Sequence, residues 1–276
     1  LGDVYKRQVY TNVTEHVKIG DAPADFQRLA PSFTVSLQPW QEQLLFLRLM
    51  YKSTFRMPTF NDLYYYRLGN RSLRPEKANE YNMGITWSRS FSSFLNYLSV
   101  TVDGYYNDVT DKIVAFPTTY AWKMANYGKV HVTGMDATLA AAASLGKNMV
   151  LVVSGGYTRQ KAIDLTDATS KSYKDQLPYT PKHSGNVSAV LEMPWVNVGY
   201  SIVGVSERYS MSQNIPENRI DGYMEHTVSL SRNFSFRHCK LRLQAEIINL
   251  TDTQYDVIKY YPMPGRSWRL TGTIEF

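Results

Sequence analysis

Strict alternation of apolar and polar residues dominates this chain from about residue 29 to its end, and the spacing of an amphipathic helix is nearly absent. The final segment, 266–276, is the clearest case, with Trp268, Leu270 and Ile274 on one face and polar residues on the other. A soluble sheet can also have one apolar face. However, these segments are about ten residues long, which is the length of a tilted strand that crosses a membrane.

Eleven strands are predicted by this alternation, and a twelfth is predicted at 9–19. The eleven are expected near residues 29–37, 43–53, 77–89, 96–110, 129–144, 149–160, 182–192, 196–206, 223–232, 240–250 and 266–276.

Short and long connections alternate between these strands. The long ones are polar and are expected near 54–76, 111–128, 161–181, 207–222 and 251–265. A membrane barrel produces this alternation because its periplasmic turns are short and its outer loops are long, whereas a sandwich has no reason to place every long connection at one end. The sequence therefore favours an all-β, antiparallel transmembrane barrel meander over a soluble β-rich module. Because the last strand ends at Phe276, we expect that residue at the periplasmic rim.

Composition agrees with this interpretation and excludes several classes of protein. The chain has 21 tyrosines, and a tyrosine side chain suits the boundary between lipid and water. No apolar run reaches the 18 residues of a membrane-spanning helix. The net charge is +6, but the basic residues are scattered, so a nucleic-acid partner is not expected.

Catalytic and metal-binding signatures are not found in the sequence. The five histidines show no metal spacing, and no nucleophile elbow, phosphate-binding loop or dinucleotide fingerprint occurs. We therefore assign no catalytic, cofactor or metal-binding residue and predict that the protein is not an enzyme. An outer-membrane hydrolase with a Ser/His pair at the barrel rim is the leading enzyme alternative.

Residues 1–8 are interpreted as a scar left either by cloning or by sequence assembly, and residues 9–276 as a barrel domain. A signal peptide, which an outer-membrane protein needs, is not recognised at the start. The chain is therefore interpreted as part of a longer protein.

Two segments resemble the TonB-dependent outer-membrane receptors. Residues 55–84 read FRMPTFNDLYYYRLGNRSLRPEKANEYNMG and resemble the most recognisable barrel motif of that family. The matching residues are Arg56, Pro58, Thr59, Phe60, Asp62, Leu63, Tyr64, Gly69, Asn70, Leu73, Pro75, Glu76 and Glu80. Residues 249–276 resemble the family's closing segment, in which Asn-Leu and Tyr precede Pro-x-Pro-Gly-Arg and a strand that ends in an aromatic residue.

The resemblance implies a function as well as a fold. It implies that this chain is the C-terminal half of a 22-stranded barrel in the bacterial outer membrane, filled by a plug domain that the chain does not contain. The implied partners are outer-membrane lipid, the TonB complex (through the N-terminal part), the barrel-insertion machinery and an iron–siderophore or cobalamin-like ligand. Energised uptake of a scarce ligand is the expected activity. A passive porin-like channel is the alternative, and an upstream plug would separate the two.

Three sets of residues are candidates for function. The motif residues either contact ligand or plug, or Arg56, Asp62 and Glu76 pair with one another to hold the loop's shape. Aromatic residues in or beside outer loops either stack on a ligand or form an interfacial girdle; they are Tyr65, Tyr66, Tyr120, Trp122, Tyr260 and Tyr261. The last strand resembles a barrel-assembly signal, and its residues are Trp268, Leu270, Ile274 and Phe276.

Overall fold

A single antiparallel sheet of twelve strands makes up most of the molecule, and each strand pairs with its neighbours in chain order. The computed structural model describes residues 2–13, 26–40, 44–92, 94–117, 121–146, 148–237 and 239–275. The sheet strands are β1 (Gly2–Val13), β2 (Phe26–Leu37), β3 (Leu44–Arg56), β4 (Glu76–Ser90), β5 (Leu95–Pro117), β6 (Trp122–Ser144), β7 (Val150–Asp164), β8 (His183–Glu192), β9 (Asn197–Val205), β12 (Tyr223–Ser235), β13 (Lys240–Ile248) and β16 (Ser267–Glu275).

Small elements lie in the connections. The helix α1 (Phe60–Tyr64) and a 3-10 turn (Pro216–Asn218) are the helical pieces among the described residues. Two short hairpins complete the fold: β10 (Arg208–Tyr209) with β11 (Arg219–Ile220), and β14 (Asp256–Ile258) with β15 (Tyr261–Pro262). In the described part of the chain, no helix has the length and apolar character that crossing a membrane requires.

All eleven strands predicted from the alternation are present, so the all-β meander is confirmed. One connection was predicted wrongly. The expected loop 111–128 is largely strand, because the β5–β6 ladder continues to the pair Pro117–Trp122. Tertiary pairing extends this hairpin, although its sequence is too mixed in polarity to show the alternation.

The first strand begins earlier than predicted. β1 occupies residues 2–13 and pairs with β2 in continuous register from Gly2–Leu37 to Val13–Phe26. Residues 2–8, which are predicted to be extraneous, therefore form part of a strand that pairs with the sheet. Their origin stays a prediction. The rest of the predicted strand 9–19, residues 14–19, lies outside the described residues.

The two faces of the sheet differ in chemistry. Successive side chains of a strand point to opposite faces, so residues paired across the ladder share a face. The outward face, as we call it, carries large apolar side chains in the open, such as Leu49 (50% exposed), Met83 (66%) and Leu270 (79%). The predicted apolar face of β13 coincides with this outward face. Its residues Leu241, Leu243 and Ile247 pair across the ladder with residues on the same face of β16, namely Ile274, Gly272 and Trp268.

The opposite face, called the lumen face, is polar and internally bonded. Facing hydroxyls hydrogen-bond across it, with Thr86 Oγ1 and Thr101 Oγ1 3.0 Å apart. An ion pair joins Arg48 Nη2 to Asp103 Oδ1 at 2.9 Å. Such a distribution, apolar outside and polar inside, is typical of a barrel wall that faces lipid on one side and water on the other.

The connections also segregate by end. Because the sheet is an antiparallel meander, the connections 57–75, 165–182, 206–222 and 249–266 all leave it at the end where β5 and β6 meet. We call this the long-loop end. The turns between β2 and β3, β4 and β5, β6 and β7, β8 and β9, and β12 and β13 lie at the opposite end, as the alternation predicts. The connection between β5 and β6 departs from the prediction, because it spans only residues 118–121 and lies at the long-loop end.

Candidate ligand-facing site formed by the outer loops

The motif loop, residues 57–75, contains the short helix α1, whose first turn is held by two reciprocal hydrogen bonds between Thr59 and Asp62. Thr59 Oγ1 accepts a hydrogen bond from the Asp62 amide at 3.2 Å, and Asp62 Oδ2 accepts one from the Thr59 amide at 2.9 Å. This reciprocal pair is a capping box, which satisfies two backbone donors that a helix start leaves free. Pro58 lies between β3 and this box, where no ladder hydrogen bond is needed. The Pro-Thr-x-x-Asp part of the motif is therefore the start signal of α1.

Arg56, the last residue of β3, ties four segments together. Its Nη1 lies 3.1 Å from Asp62 Oδ2, and its Nε lies 3.6 Å from Glu76 Oε2. Its Nη2 also donates to the Ile113 carbonyl oxygen at 3.3 Å, while Glu76 Oε2 accepts from the Ile113 amide at 3.0 Å. The mutual pairing of Arg56, Asp62 and Glu76 is thus present and is anchored to β5 as well.

Apolar packing holds the motif loop against the β5–β6 hairpin. Leu63 and Leu73 from the loop are buried with Ile113 and Met124 from the hairpin. Gly69 is required by close approach, because a Cβ there would lie 2.7 Å from the Leu63 carbonyl oxygen. The loop therefore folds over the sheet instead of projecting into solvent.

The remaining motif residues add polar and aromatic contacts. Asn70 Nδ2 donates to the Met124 carbonyl oxygen at 3.1 Å, and Glu80 Oε1 accepts from Thr54 Oγ1 at 2.9 Å. Phe60 and Tyr64 form a ring pair with centroids 5.0 Å apart. Pro75 directly precedes β4.

The loop 165–182 folds inward too. Leu177 packs in a buried cluster with Val109, Val130 and Ala162 on the lumen face. Gln176 is buried, and its Oε1 accepts from the Ala162 amide at 3.1 Å. Its backbone is in turn bonded by the loop 206–222, because the Gln176 amide donates to Asn214 Oδ1 at 2.8 Å.

Arg208 links two further loops and is almost fully buried, with 4% of its surface exposed. Its Nη2 donates to the carbonyl oxygens of Asp256 (2.6 Å) and Val257 (2.9 Å). Its guanidinium carbon lies 5.8 Å from the centroid of the Tyr223 ring. Among the described residues, no carboxylate forms an ion pair with Arg208, so this cation leaves a local positive field.

The closing loop, 249–266, is shaped by the residues of the second family motif. Asn249 is fully buried with a positive φ of 52°, and its Oδ1 accepts from the Thr253 amide at 2.9 Å. Asp252 Oδ1 accepts from the Arg266 amide at 2.7 Å, and a Cβ on Gly265 would lie 2.5 Å from that oxygen. The Asn-Leu and Pro-Gly-Arg pieces therefore meet at the base of the loop and close it.

A stacked tyrosine pair fixes the same loop to the sheet. Tyr255 stacks on Tyr223 with ring centroids 3.9 Å apart, and its hydroxyl donates to Glu225 Oε2 at 2.5 Å. Burial, followed by this hydrogen bond to a carboxylate, raises the pKa of Tyr255. The phenol therefore stays protonated at neutral pH and keeps its role as donor.

Between these loops and the β5–β6 hairpin lies a cavity of about 400 Å³, which we call the loop cavity. Its lining includes the aromatic pair Trp122 and Tyr179, whose ring centroids are 5.9 Å apart, together with Lys112 and Arg208. Burial raises the pKa of Tyr179, so its hydroxyl is neutral. Aromatic walls with a few polar and cationic groups are typical of a small-molecule site.

The predicted site residues are distributed unevenly. Trp122 lines the loop cavity, whereas Tyr65, Tyr66, Tyr260 and Tyr261 are exposed outside its lining. Tyr120 and Phe276 lie outside the described residues.

On the last strand, Trp268, Leu270 and Ile274 are exposed on the outward face. Sequence reasoning missed the cavity residues Lys112, Tyr179 and Arg208, because each lies in a segment that was predicted as a polar loop without periodicity.

Comparison with known proteins identifies the class. The model of the family described as "TonB dependent receptor-like, beta-barrel" matches residues 3–250, which is most of the chain. The chain belongs to this family of TonB-dependent receptors.

The individual curated relatives are only distantly similar to this chain in sequence. The vitamin B12 transporter BtuB of Photobacterium profundum is 26% identical over 230 residues, which cover 80% of this chain and 34% of the relative. The chain thus spans about a third of the length of this curated relative.

Solved structures show the same fold. The siderophore receptor PiuA from Acinetobacter baumannii superposes with a TM-score of 0.69 at 18% identity, over 99% of this chain and 40% of that one. The ferric-catecholate import receptor Fiu from K12 E. coli gives 0.64 at 19% identity, over 98% and 41%.

Proposed function

We propose that this chain is the C-terminal barrel portion of a receptor that takes up a scarce ligand across the bacterial outer membrane, with energy supplied through TonB. The inward folding of the outer loops carries the proposal. The motif loop and the loop 165–182 each pack buried apolar residues against the lumen side of the sheet, at Ile113 and Val130 respectively. A barrel whose mouth is narrowed by packed loops suits selective binding better than free diffusion.

The chemistry of the loop cavity supports a ligand with both flat unsaturated and anionic parts. Trp122 and Tyr179 offer stacking surfaces, and Lys112 and Arg208 supply positive charge. The Lys112 charge is partly offset by Glu76, whose Oε1 lies 3.7 Å from Nζ. Iron–siderophore complexes and cobalamin are the ligand classes we propose, in line with the relatives that the chain resembles.

Uptake by the complete receptor tests the proposal. Cells that express it are supplied with a labelled panel of iron–siderophore complexes and cobalamin, with and without a functional TonB. We expect accumulation of one ligand class, lost when TonB is absent. Accumulation that does not depend on TonB, together with steady ion conductance of the reconstituted protein, would indicate a passive channel instead.

A pair of variants locates the ligand. Trp122→Ala or Tyr179→Ala should weaken binding of the transported ligand by about tenfold, since one stacking surface is lost. Tyr66→Ala is the matched control, because Tyr66 is 79% exposed and lies outside the cavity lining. Equal losses in all three variants would place the ligand elsewhere.

The last strand is proposed to act in assembly as well. An edge strand with a free apolar face and a terminal aromatic can pair with the open edge of an insertion machine by strand addition. Deleting Phe276 from the complete receptor should then deplete it from the outer membrane while the purified protein still refolds in detergent. Normal membrane levels with slightly lowered stability would leave Phe276 as an interfacial anchor only.

A further inference from the structure

Arg208 has a guanidinium nitrogen for which the described part of the chain provides no acceptor. Its Nη2 donates to the Asp256 and Val257 carbonyl oxygens, but its buried Nη1 has no hydrogen-bond partner among the described residues. Only 4% of the residue is exposed. Leaving a buried cationic donor unpaired is costly, so this nitrogen indicates an acceptor that comes from elsewhere.

Acidic residues stand in the same loops as Arg208 but are bound to other groups. Glu207, its neighbour in sequence, pairs with Arg219, and Glu207 Oε2 lies 3.3 Å from Arg219 Nε. Asp256 accepts the Arg208 bond through its backbone carbonyl, while its carboxylate oxygen Oδ2 accepts from the Tyr260 amide at 2.9 Å. The positive charge of Arg208 is therefore not neutralised by these carboxylates.

The loop cavity, which Arg208 lines, has few other polar groups. Apart from Lys112, Thr180 and Arg208, its lining consists of apolar and aromatic residues. Lys112 is partly neutralised, because its Nζ lies 3.7 Å from Glu76 Oε1. In such apolar surroundings an unpaired charge acts on a ligand more strongly than it would in water.

A strained tyrosine forms another wall of the loop cavity. Tyr179 has a φ of +55°, a left-handed conformation that bulky residues rarely adopt. Its amide donates to the Tyr209 carbonyl oxygen at 2.7 Å, and its ring lies against Trp122. Strained residues cluster at sites where ligands are clamped, so Tyr179 is a second indication of a binding site, independent of Arg208.

The volume of the loop cavity limits what it can hold. Its size of about 400 Å³ lies near the lower end of the range of roughly 300–1,000 Å³ for small-molecule sites. One aromatic ring with its charged group fits this space better than a complete metal chelate.

We propose that the loop cavity binds one aryl carboxylate arm of the transported ligand, with the ring against Trp122 and Tyr179 and the carboxylate on Arg208 Nη1. This subsite is part of the cavity proposed above for the ligand, so it rests on that proposed function. Hydrogen bonds from arginine to a carboxylate are stronger than those to a neutral acceptor. Arg208 is therefore a specificity-determining residue, which favours an anion over a neutral group of the same shape.

The matched probes 4-fluorobenzoate and 4-fluorobenzamide test the subsite on the complete receptor in detergent. They share their ring and shape and differ in charge, and fluorine NMR titration measures the affinity of each. We expect the wild type to bind the benzoate about tenfold more tightly than the benzamide. Arg208→Gln removes the charge and should reduce this preference to about twofold or less.

Lys259→Gln is the matched control for charge. Lys259 lies in the loop 249–266, but its Nζ donates to the Glu217 carbonyl oxygen and it is not part of the cavity lining. The preference for the benzoate should persist in this variant. An equal loss in Lys259→Gln would show that the loops act only through their general positive charge, and would overturn the assignment to Arg208.

A measurement on the wild type guards against misfolding of Arg208→Gln, because Arg208 also holds the loop 249–266. Amides of 206–222 and 249–266 should exchange hydrogen more slowly with 4-fluorobenzoate present, and should be unaffected by 4-fluorobenzamide. Equal affinity of the wild type for both probes, or benzoate binding without protection of these loops, would overturn the proposal.

TonB-dependent uptake by cells is scored separately from probe binding. Loss of uptake with an intact preference for the benzoate would contradict the proposed transport function and support the anion subsite. Normal uptake by a wild type without that preference would overturn the anion subsite alone.

Discussion

The outward and lumen faces of the same strands are stabilised in opposite ways. On the outward face, large side chains such as Leu243 and Leu270 stand open and find their apolar surroundings outside the polypeptide. On the lumen face, charged and polar groups are satisfied within the chain, as in the pair Glu246–Arg269, where Oε2 and Nε are 2.6 Å apart. The difference indicates that the outward face depends on its apolar surroundings, whereas the lumen face depends on polar contacts within the chain.

The largest effect is expected from placing a charge on the outward face. Leu243→Arg in the complete receptor should cost about 2–4 kcal/mol of folding free energy near the membrane midplane. Its neighbour Gln244→Arg, on the lumen face, should cost far less. Urea unfolding in lipid vesicles measures both, and equal costs would contradict the assignment of faces.

The next largest loss of folding free energy is expected in the closing loop, residues 249–266. Asn249→Ala should cost about 2 kcal/mol, because it leaves the partly buried Thr253 amide without its acceptor and places a residue without a polar side chain at positive φ. Unfolding in the same vesicles provides the value. Thr251→Ala is a control in the same loop, since Thr251 is exposed; a cost as large as that of Asn249→Ala would show that the lost hydrogen bond of the Thr253 amide is not the cause.

A smaller loss is expected at the motif loop. Arg56→Ala should cost about 1–2 kcal/mol, because the charge-assisted bonds to Asp62 and Glu76 are made by a partly exposed side chain. It should also increase proteolysis within 57–75. Arg56→Lys keeps the charge but not the forked geometry, so it should fall between the wild type and Arg56→Ala. Wild-type stability and wild-type proteolysis of Arg56→Ala would show that Arg56 does not anchor the motif loop.

The smallest effect is expected from Tyr255→Phe, which keeps the stacking on Tyr223 and removes only the hydrogen bond to Glu225. About 1 kcal/mol or somewhat more should be lost, since the acceptor is a carboxylate. Hydrogen exchange of the 249–266 amides measures the loosening directly. Unchanged exchange would show that stacking alone holds the loop.

The sequence predicts the strands and their faces because alternation is a local signal. In β13, the order Leu241, Arg242, Leu243 and Gln244 is enough to assign each side chain to a face. The inward folding of the loops was not predictable in the same way. Contacts such as Arg208 with the Asp256 carbonyl join residues far apart in sequence and leave no periodic trace.

The candidate site was predicted only in part for the same reason. The sequence predicts Trp122 because it is aromatic and near a predicted loop, and Trp122 does line the cavity. Tyr260 and Tyr261 meet the same criterion but are exposed. The approach of the loop 165–182 places Tyr179 against Trp122, and nothing local in that polar segment predicts it.

Spin labelling along β13 tests the central claim, that this sheet is a barrel wall between lipid and an aqueous lumen. Single cysteines are placed at each position from Lys240 to Ile248 in the complete receptor, with native Cys239 replaced by serine and a nitroxide attached. Accessibility to oxygen, which concentrates in lipid, and to a water-soluble nickel chelate is then measured in vesicles. We predict that the two alternate with a period of two and opposite phase, with oxygen highest at Leu241, Leu243 and Ile247. Accessibility without alternation, or with both probes rising at the same positions, would contradict the account.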